Sequence, residues 1–181
     1  MTAFDIPTVE TARLRLRAFH AADLDAYSAM QANPNVMRYL LTGQTATRIQ
    51  VWYTMLTSTG SWGLRGYGMW AVEEVAGGRF IGSVGIFEPL DWPEPEIAFS
   101  LDEPYWHRGF ATEAAAAARD WLFAHLPHQR LASFIRPENG ASIRRRAPRR
   151  GSRGHGRVAR RHLPALGPPP PRKDTRGVEW R

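Results

Sequence analysis

Several features that define protein classes are missing from this chain of 181 residues. There is no cysteine, which excludes disulfides and thiolate metal sites. The first residues, MTAFDIPTVET, have neither the basic start nor the apolar run of a signal peptide. The sequence has no run of about eighteen apolar residues, so no membrane span is predicted. We therefore expect a cytoplasmic protein, and the length fits a single domain.

Acidic residues are scarce only towards the carboxyl end of the chain. The formal net charge is +7, but residues 144–181 carry 13 basic and 2 acidic side chains, a net charge of +11. Residues 1–143 carry a net charge of −4. The positive excess therefore belongs to the last segment, and the overall charge gives no evidence that the preceding residues bind nucleic acid.

Local patterns predict alternating strands and helices over the first 143 residues. Residues 13–17 alternate with period two as a half-buried strand, and residues 47–56 place apolar side chains on one helical stripe. A Gly-Gly turn predicts a hairpin, and a strand at 96–101 leads into an alanine-rich helix and a further strand at 130–135. Antiparallel pairing followed by a βαβ crossover predicts an α+β or α/β fold with helices flanking a mixed sheet.

The segment from Phe99 to Trp121 predicts a strand, a tight glycine turn and a helix. Small residues at Gly109 and Ala111 let the backbone of this turn approach a ligand closely. The first-turn amides of the helix lack internal acceptors, and with the helix dipole they form an anion site suited to a phosphate or diphosphate. The turn matches neither a Walker loop nor a Rossmann fingerprint. On local grounds, an ordinary strand-to-helix turn is the alternative.

The residues around this turn resemble a known family. EIAFSL at 96–101 and YWHRGFATEA at 105–114 resemble the coenzyme-A-binding motif of GNAT acetyltransferases, Gln/Arg-x-x-Gly-x-Gly/Ala, with Trp106 in its first position. Four further segments resemble landmarks of the ribosomal-protein-alanine acetyltransferase-like branch (RimJ/RimL type) in the same order: residues 11–17, 35–40, 80–85 and 136–143. The resemblance covers residues 11–143.

The resemblance implies a fold and an activity. The fold would be the GNAT fold, a mixed and mostly antiparallel twisted sheet flanked by helices. The activity would be transfer of the acetyl group of acetyl-CoA to a primary amine of a protein N-terminus or a small molecule. The implied partners are acetyl-CoA and the amine acceptor, without a membrane, and a homodimer is compatible with this class.

The resemblance also implies which residues bind the coenzyme. Backbone amides of the turn would hold the diphosphate of acetyl-CoA: Arg108, Gly109, Phe110, Ala111 and Thr112. His107 would contact the phosphate side. Strand backbone and the last helix would contact the pantetheine arm: Phe99, Ser100, Leu101 and Asn139. The alternatives are that Thr112 and Asn139 only cap helices and that the strand side chains only fill the core.

Amine acetylation by a thioester needs a base near the amine and a proton for the leaving thiolate. It also needs a donor for the developing oxyanion, which a strand amide supplies. Glu96 is the candidate base, directly or through water, and a solvated glutamate is the alternative; Glu88 and Glu94 are weaker candidates. Tyr105 or Ser142 is the candidate proton donor. The six histidines are scattered and no cysteine assists them, so no metal site is expected.

Residues 144–181 depart from the family pattern. Family members continue with a segment such as Val-Ala-Glu-Arg-Leu-Gly-Ala, whereas this chain has Arg-Arg-Arg-Ala-Pro-Arg-Arg at 144–150, where Pro148 would break the helix. GC-rich codons for Arg-Val-Ala-Glu-Arg-Leu-Gly-Ala, read from the third base of the first codon, translate into the segment found at 144–150. We therefore expect a frameshift near codon 144, which gene sequencing would test. The expected organisation is a GNAT domain at 1–143 and an irregular, Arg/Pro-rich, disordered tail at 144–181 that replaces the closing strands.

A second class of function is the alternative. The arginine density of the tail also suits a nucleic-acid-binding arm on a degenerate, non-catalytic GNAT body, although Trp180 is the tail's only aromatic residue. A melting temperature raised by acetyl-CoA would favour the enzyme. Retention on heparin that disappears when residues 144–181 are deleted would favour the arm.

Overall fold

The elements of the fold are defined by a computed structural model that describes residues 5–40, 43–92, 94–126, 131–136, 138–139 and 142. The strands are β1 (Val9–Glu10), β2 (Leu14–Arg17), β3 (Met69–Glu74), β4 (Arg79–Phe87) and β5 (Glu96–Leu101). The helices are α1 (Leu24–Ala32), α2 (Pro34–Met37), α3 (Arg48–Arg65) and α4 (Phe110–His125), with 3-10 turns at Ala21–Asp23 and Glu103–Tyr105. The expected tail, its frameshift and its disorder lie outside the described residues.

The five strands form one sheet in chain order, each antiparallel to the next. The register of β4 and β5 runs without a bulge from Gly82 opposite Leu101 to Phe87 opposite Glu96. After α4 the chain returns to the free edge of β5, where Ala132 forms a parallel bridge to Glu96. The sheet is therefore mixed and mostly antiparallel, and the fold class expected from the sequence is confirmed.

Each face of the sheet is covered by helices. On one face, α4 packs closely because small side chains recur at every fourth position, Ala114 and Ala118, followed by Leu122, all fully buried. On the other face, α1 and α3 enclose a second cluster that includes Tyr27 and Met55. Full burial of a large apolar side chain such as Leu122 or Met55 contributes about 1.5–3 kcal/mol. Trp106 packs against both clusters and so ties the turn after β5 to the whole core.

Helix α3 begins where the sequence predicts it, but it continues to Arg65, past the predicted residues 47–56 and through part of segment 60–68, where the glycines favour a loop. It also buries a different face from the predicted apolar stripe. A capping box of Thr47 and Gln50 opens the helix, and Gly66 with φ 74° ends it. The buried side chains are Val51, Met55 and Trp62. The apolar stripe at Ile49, Trp52, Tyr53 and Leu56 is exposed. Trp62 is buried because it contacts Trp70 and Trp121 edge-on, with ring centroids 4.6 and 5.3 Å away.

Within the described ranges, no helix combines the length and the apolar character needed to cross a membrane.

Candidate active site

The turn that follows β5 leaves backbone amides open at the start of α4. Gly109 occupies the N-cap with φ 82°, a left-handed conformation that glycine adopts without the steric cost of a side chain, and no side chain caps the helix. The first internal bond of the helix is donated by the N–H of Glu113 to the carbonyl of Gly109, at 3.1 Å. In the described part of the chain, the amides of Phe110, Ala111 and Thr112 therefore have no intrahelical acceptor.

The residues expected to bind a diphosphate lie together in this one loop. Phe110 and Ala111 are buried and anchor the loop, whereas His107, Arg108 and Thr112 are exposed. His107 has φ 60°, an uncommon conformation for a residue with a side chain. Two left-handed conformations, at His107 and Gly109, therefore lie within the three residues that precede α4.

Backbone alternation decides which groups of β5 face its open edge. The N–H of Ile97 donates away from β4, to the carbonyl of Ala132, at 2.9 Å. The N–H of Asp102 donates in the opposite direction, to Ile81 in line with β4, also at 2.9 Å. Peptide groups of successive residues alternate in direction, so those of odd-numbered residues face the open edge.

Two of the three expected strand positions are therefore on this edge, Phe99 and Leu101. The peptide groups of Ser100 face β4, and its hydroxyl lies 3.1 Å from that of Ser83, so the sequence-based expectation of a backbone contact from Ser100 disagrees with the alternation. The carbonyl of Leu101 accepts from the indole of Trp106 at 2.7 Å. The groups left facing the open edge are the N–H and C=O of Phe99 and the N–H of Leu101. No described residue bonds them.

The parallel pairing beside β5 begins as a regular ladder and then stops. The N–H of Ala132 donates to Pro95, and the N–H of Ile97 donates to Ala132, both at 2.9 Å. A continuing ladder would next join the N–H of Phe134 to the carbonyl of Ile97. Side chains bond these two groups instead.

Glu96 and Ser133 replace the missing ladder bonds. The hydroxyl of Ser133 donates to the carbonyl of Ile97 at 3.0 Å. The carboxylate of Glu96 accepts from the N–H of Phe134 at 2.8 Å. Because these side chains satisfy the backbone without bringing the strands together, the pairing ends there, and within the described ranges nothing pairs with the peptide edge at Phe99.

The Glu96 carboxylate lies in an aromatic setting. The side chain belongs to a residue only 7% exposed, and its second oxygen accepts from the indole of Trp92 at 3.2 Å. The Trp92 ring meets Phe87 and Phe134 edge-on, with centroids 5.4 and 5.7 Å away. A carboxylate held in this way is fixed in orientation, which suits either a bridge between strands or a positioned base.

The three catalytic candidates occupy different places. Tyr105 lies at the carboxyl end of β5, with its ring 6.1 Å from that of Phe110, whereas Glu96 opens the strand. Five residues of extended strand span about 17 Å, so these two side chains do not meet at one reacting centre. Asn139 accepts from the N–H of Ser142 at 3.2 Å, the bond expected of a helix cap.

Sequence reasoning missed the residues that hold this region together. Thr11, Arg13 and Glu113 bind one another across about 100 positions of sequence, and Ser133 was passed over as part of a strand. The one available signal was Glu113, an acid in the first helical turn beside an expected anion site. Within the described ranges, no cluster of three or more His, Asp or Glu side chains is arranged to hold a metal ion.

Comparisons with known proteins identify the family of this chain. The family model "Acetyltransferase (GNAT) domain" matches residues 13–145. A Bacillus subtilis (strain 168) relative described as "Uncharacterized protein YkkB" is 30% identical over 142 residues, which are 74% of this chain and 78% of the relative. The crystal structure of the acetyltransferase from Agrobacterium tumefaciens str. C58 is similar with a TM-score of 0.71 and 31% identity, over 83% of this chain and 92% of that chain.

A ribosomal acetyltransferase shares the fold at lower identity. RimL, the ribosomal L7/L12 alpha-N-protein acetyltransferase in complex with coenzyme A, has a TM-score of 0.64 and 18% identity, over 77% of this chain and 80% of that chain. The chain thus belongs to the GNAT acetyltransferase family and is an enzyme of the acyltransferase class.

Proposed function

We propose that this enzyme transfers the acetyl group of acetyl-CoA to a primary amine and belongs to the RimJ/RimL-type branch of its family. One observation carries the proposal: an open peptide edge on β5 leads directly into a turn whose helix has uncapped first-turn amides. The edge suits the amide groups of a pantetheine arm, and the turn suits the diphosphate attached to that arm.

The diphosphate would be bound by local groups. Residues 1–143 carry a net charge of −4, so the general field of this part of the chain does not attract an anion. The amides of Gly109, Phe110, Ala111 and Thr112, with the dipole of α4 behind them, supply the local attraction. The exposed side chains of His107 and Arg108 stand beside the same turn.

The pantetheine arm would extend along β5 as an additional strand does. The N–H and C=O of Phe99 and the N–H of Leu101 offer it two donors and one acceptor. This directs the arm from the turn towards the amino end of β5, where Glu96 and Trp92 lie. Acetyl-CoA supplies the thioester there.

The transfer step forms a bond between the amine nitrogen and the acetyl carbon and breaks the carbon–sulfur bond, so coenzyme A leaves as the thiol. Glu96 is our candidate for accepting the proton of the amine, because it is the oriented carboxylate at this end of β5. Ser142 is a better candidate than Tyr105 for protonating the thiolate, since Tyr105 lies at the diphosphate end. Asn139 orients the backbone of Ser142.

An assay of thiol release tests the activity. The chain has no cysteine, so a thiol reagent detects only the coenzyme A released. Acceptors should include peptides with a free N-terminal amine, the same peptides acetylated at that amine, amino sugars and polyamines. The branch assignment predicts that free peptide N-termini are acetylated fastest. Release confined to a small amine would contradict the branch, and no release with any acceptor would contradict the activity.

A single substitution tests the coenzyme site independently of the acceptor. Thr112→Asp places a negative charge among the first-turn amides, where an acid stabilises a helix but repels a diphosphate. We expect at least tenfold weaker binding of coenzyme A, measured by calorimetry, with an unchanged or raised melting temperature. Thr57→Asp is the matched control, because Thr57 is also exposed and lies on α3, away from this turn. Equal effects of the two substitutions would place the diphosphate elsewhere.

A further inference from the structure

Arg13, just before β2, binds the turn that precedes α4. Its Nε donates to Glu113 at 2.7 Å, and its Nη2 lies 2.6 Å from the same carboxylate oxygen. Its Nη1 donates to the backbone carbonyl of Arg108 at 2.9 Å. One guanidinium group therefore joins the residue before Gly109 to the first turn of the helix that follows Gly109.

Glu113 is held from the same side by a second set of bonds. Its other oxygen accepts from the hydroxyl of Thr11 at 2.7 Å and from the backbone N–H of Arg13 at 3.0 Å. Glu113 is thereby turned towards β2. An acid in the first turn of a helix ordinarily competes for the open amides, but this carboxylate accepts its bonds from Thr11 and Arg13 instead.

The arginine also packs on the helix start. Its guanidinium carbon lies 4.4 Å from the centre of the Phe110 ring, and that of Arg108 lies 4.7 Å from the same centre. Phe110 is buried, and a side chain on Gly109 would approach the Nη2 of Arg13 to 3.4 Å. Arg13 therefore touches the helix start through the Phe110 ring as well as through its hydrogen bonds, so a shift of Arg13 would act on the turn.

We propose that Arg13 and Glu113, with Thr11, form a latch that positions the coenzyme turn. This inference rests on the proposed function, because it assigns the latch to the binding of the coenzyme diphosphate. Arg13 acts through the loop: its Nε, Nη1 and Nη2 are engaged with protein acceptors, and its effect on the anion comes from holding the amides in place. Arg13 and Glu113 are positioning residues and make no contact with the reacting atoms.

The first arm of the test measures the binding of coenzyme A by calorimetry to the full chain and its variants. Arg13→Ala should weaken binding about tenfold, because the turn is no longer held. Glu113→Ala should weaken it to a similar extent, and the double variant should be no weaker than about twice either single variant, since both remove one latch. Arg15→Ala is the matched control: Arg15 is as exposed as Arg13 and pairs with Glu10 and Glu73 instead of the turn.

The Glu113→Ala result separates a latch from a direct contact. If Arg13 bound the phosphate itself, removal of the neighbouring carboxylate would free the guanidinium and leave coenzyme A binding unchanged or tighter. Weaker binding supports the latch, and unchanged or tighter binding overturns it. Equal effects of Arg13→Ala and Arg15→Ala would also overturn it, because they would show a general effect of charge.

The second arm uses hydrogen exchange of the protein without coenzyme. Arg13→Ala and Glu113→Ala should speed exchange of the amides at 109–113, while Arg15→Ala should leave them as in the wild type. If the wild type binds no coenzyme A, the proposed function is wrong, and the exchange rates still decide whether the latch orders the turn. Unchanged exchange in both latch variants overturns the latch whatever the wild type binds.

Discussion

The two ends of β5 are built in opposite ways. At the carboxyl end, the backbone of the turn is left open, and side chains from distant elements hold it from outside. Arg13 binds the carbonyl of Arg108 in the turn, and Asn33 and Asn35 bind Glu103, between β5 and the turn, at 2.6 and 3.1 Å. At the amino end, side chains bond the backbone groups instead: Glu96 and Ser133 take the places of two ladder hydrogen bonds.

The difference reflects what each end has to bind. A diphosphate needs several unpaired amides, so neighbouring acceptors must bond to other groups. Glu103 does so with Asn33 and Asn35, and Glu113 does so with Thr11 and Arg13. The amino end needs a gap between two strands, so polar side chains must satisfy the backbone while keeping the strands apart. Damage should therefore appear as lost affinity at the carboxyl end and as lost stability at the amino end.

The largest expected effect is on stability at the amino end. Glu96→Ala removes the acceptor of the Phe134 N–H and of the Trp92 indole, and each unsatisfied buried donor costs about 1–3 kcal/mol. We expect a loss of about 3 kcal/mol in the free energy of unfolding, measured by urea denaturation. Glu96→Gln should cost less, because its carbonyl oxygen still accepts one bond.

Glu94→Ala is the control for this substitution, since it removes a neighbouring carboxylate from a more exposed position. We expect a change within about 0.5 kcal/mol. Equal losses for Glu94→Ala and Glu96→Ala would show that the amino end does not depend on these two bonds.

The next effect separates affinity from stability at the carboxyl end. Gly109→Ala places a side chain at φ 82°, which costs about 1–2 kcal/mol. Gly78→Ala, in the hairpin between β3 and β4 at φ 60°, carries the same strain with open space around the new methyl group. Both should lower the free energy of unfolding to a similar extent. Gly109→Ala alone should weaken coenzyme A binding, by calorimetry, and a matching loss in Gly78→Ala would contradict the comparison.

The coenzyme turn could be predicted because its information is contiguous. The alternation of 96–101, the glycine at 109 and the alanine-rich helix lie within one stretch of chain, and each signal is local. The same locality predicted the hairpin, which the structure confirms. The fold class followed from the order of these elements.

Contacts across the chain could not be predicted in this way. Arg13 is one of three alternating arginines, and the neighbouring sequence does not distinguish it from Arg15. Their partners nevertheless lie on different elements. The direction of the Ser100 peptide groups depends on the strand to which they bond, which the sequence of β5 alone does not specify, and this direction conflicts with the expected backbone contact from Ser100. The exposed stripe on α3 shows the same limit, since periodicity identifies a helix but not which of two apolar faces the core covers.

A smaller effect follows from pH. Burial raises the pKa of Glu113, but bonds from Thr11 and Arg13 outweigh it and hold that pKa below its usual value of 4.5. A lowered folded pKa adds stability that is fully present above pH 4.5 and is lost as the pH falls through the folded value. At pH 7 the free energy of unfolding of the wild type should therefore exceed that of Glu113→Gln by about 1 kcal/mol, a small value because solvent screens this partly exposed pair. In acid the difference should vanish. Urea denaturation at several pH values measures this difference in stability. A difference that does not change with pH would show that the charge of Glu113 does not contribute to the latch.

The smallest effect compares two strained residues, one near each end of β5. His107 has φ 60° and Asp91, in the loop before β5, has φ 64°. Substitution by glycine removes about 1 kcal/mol of backbone strain at each position, but the greater entropy of the unfolded chain offsets about half of that. The free energy of unfolding of both glycine variants should therefore rise by about 0.5 kcal/mol. His107 also stands beside the proposed diphosphate site, so His107→Gly should weaken coenzyme A binding about threefold by calorimetry, while Asp91→Gly should not. Unchanged affinity in His107→Gly would confine coenzyme recognition at this turn to its backbone and remove the histidine from the site.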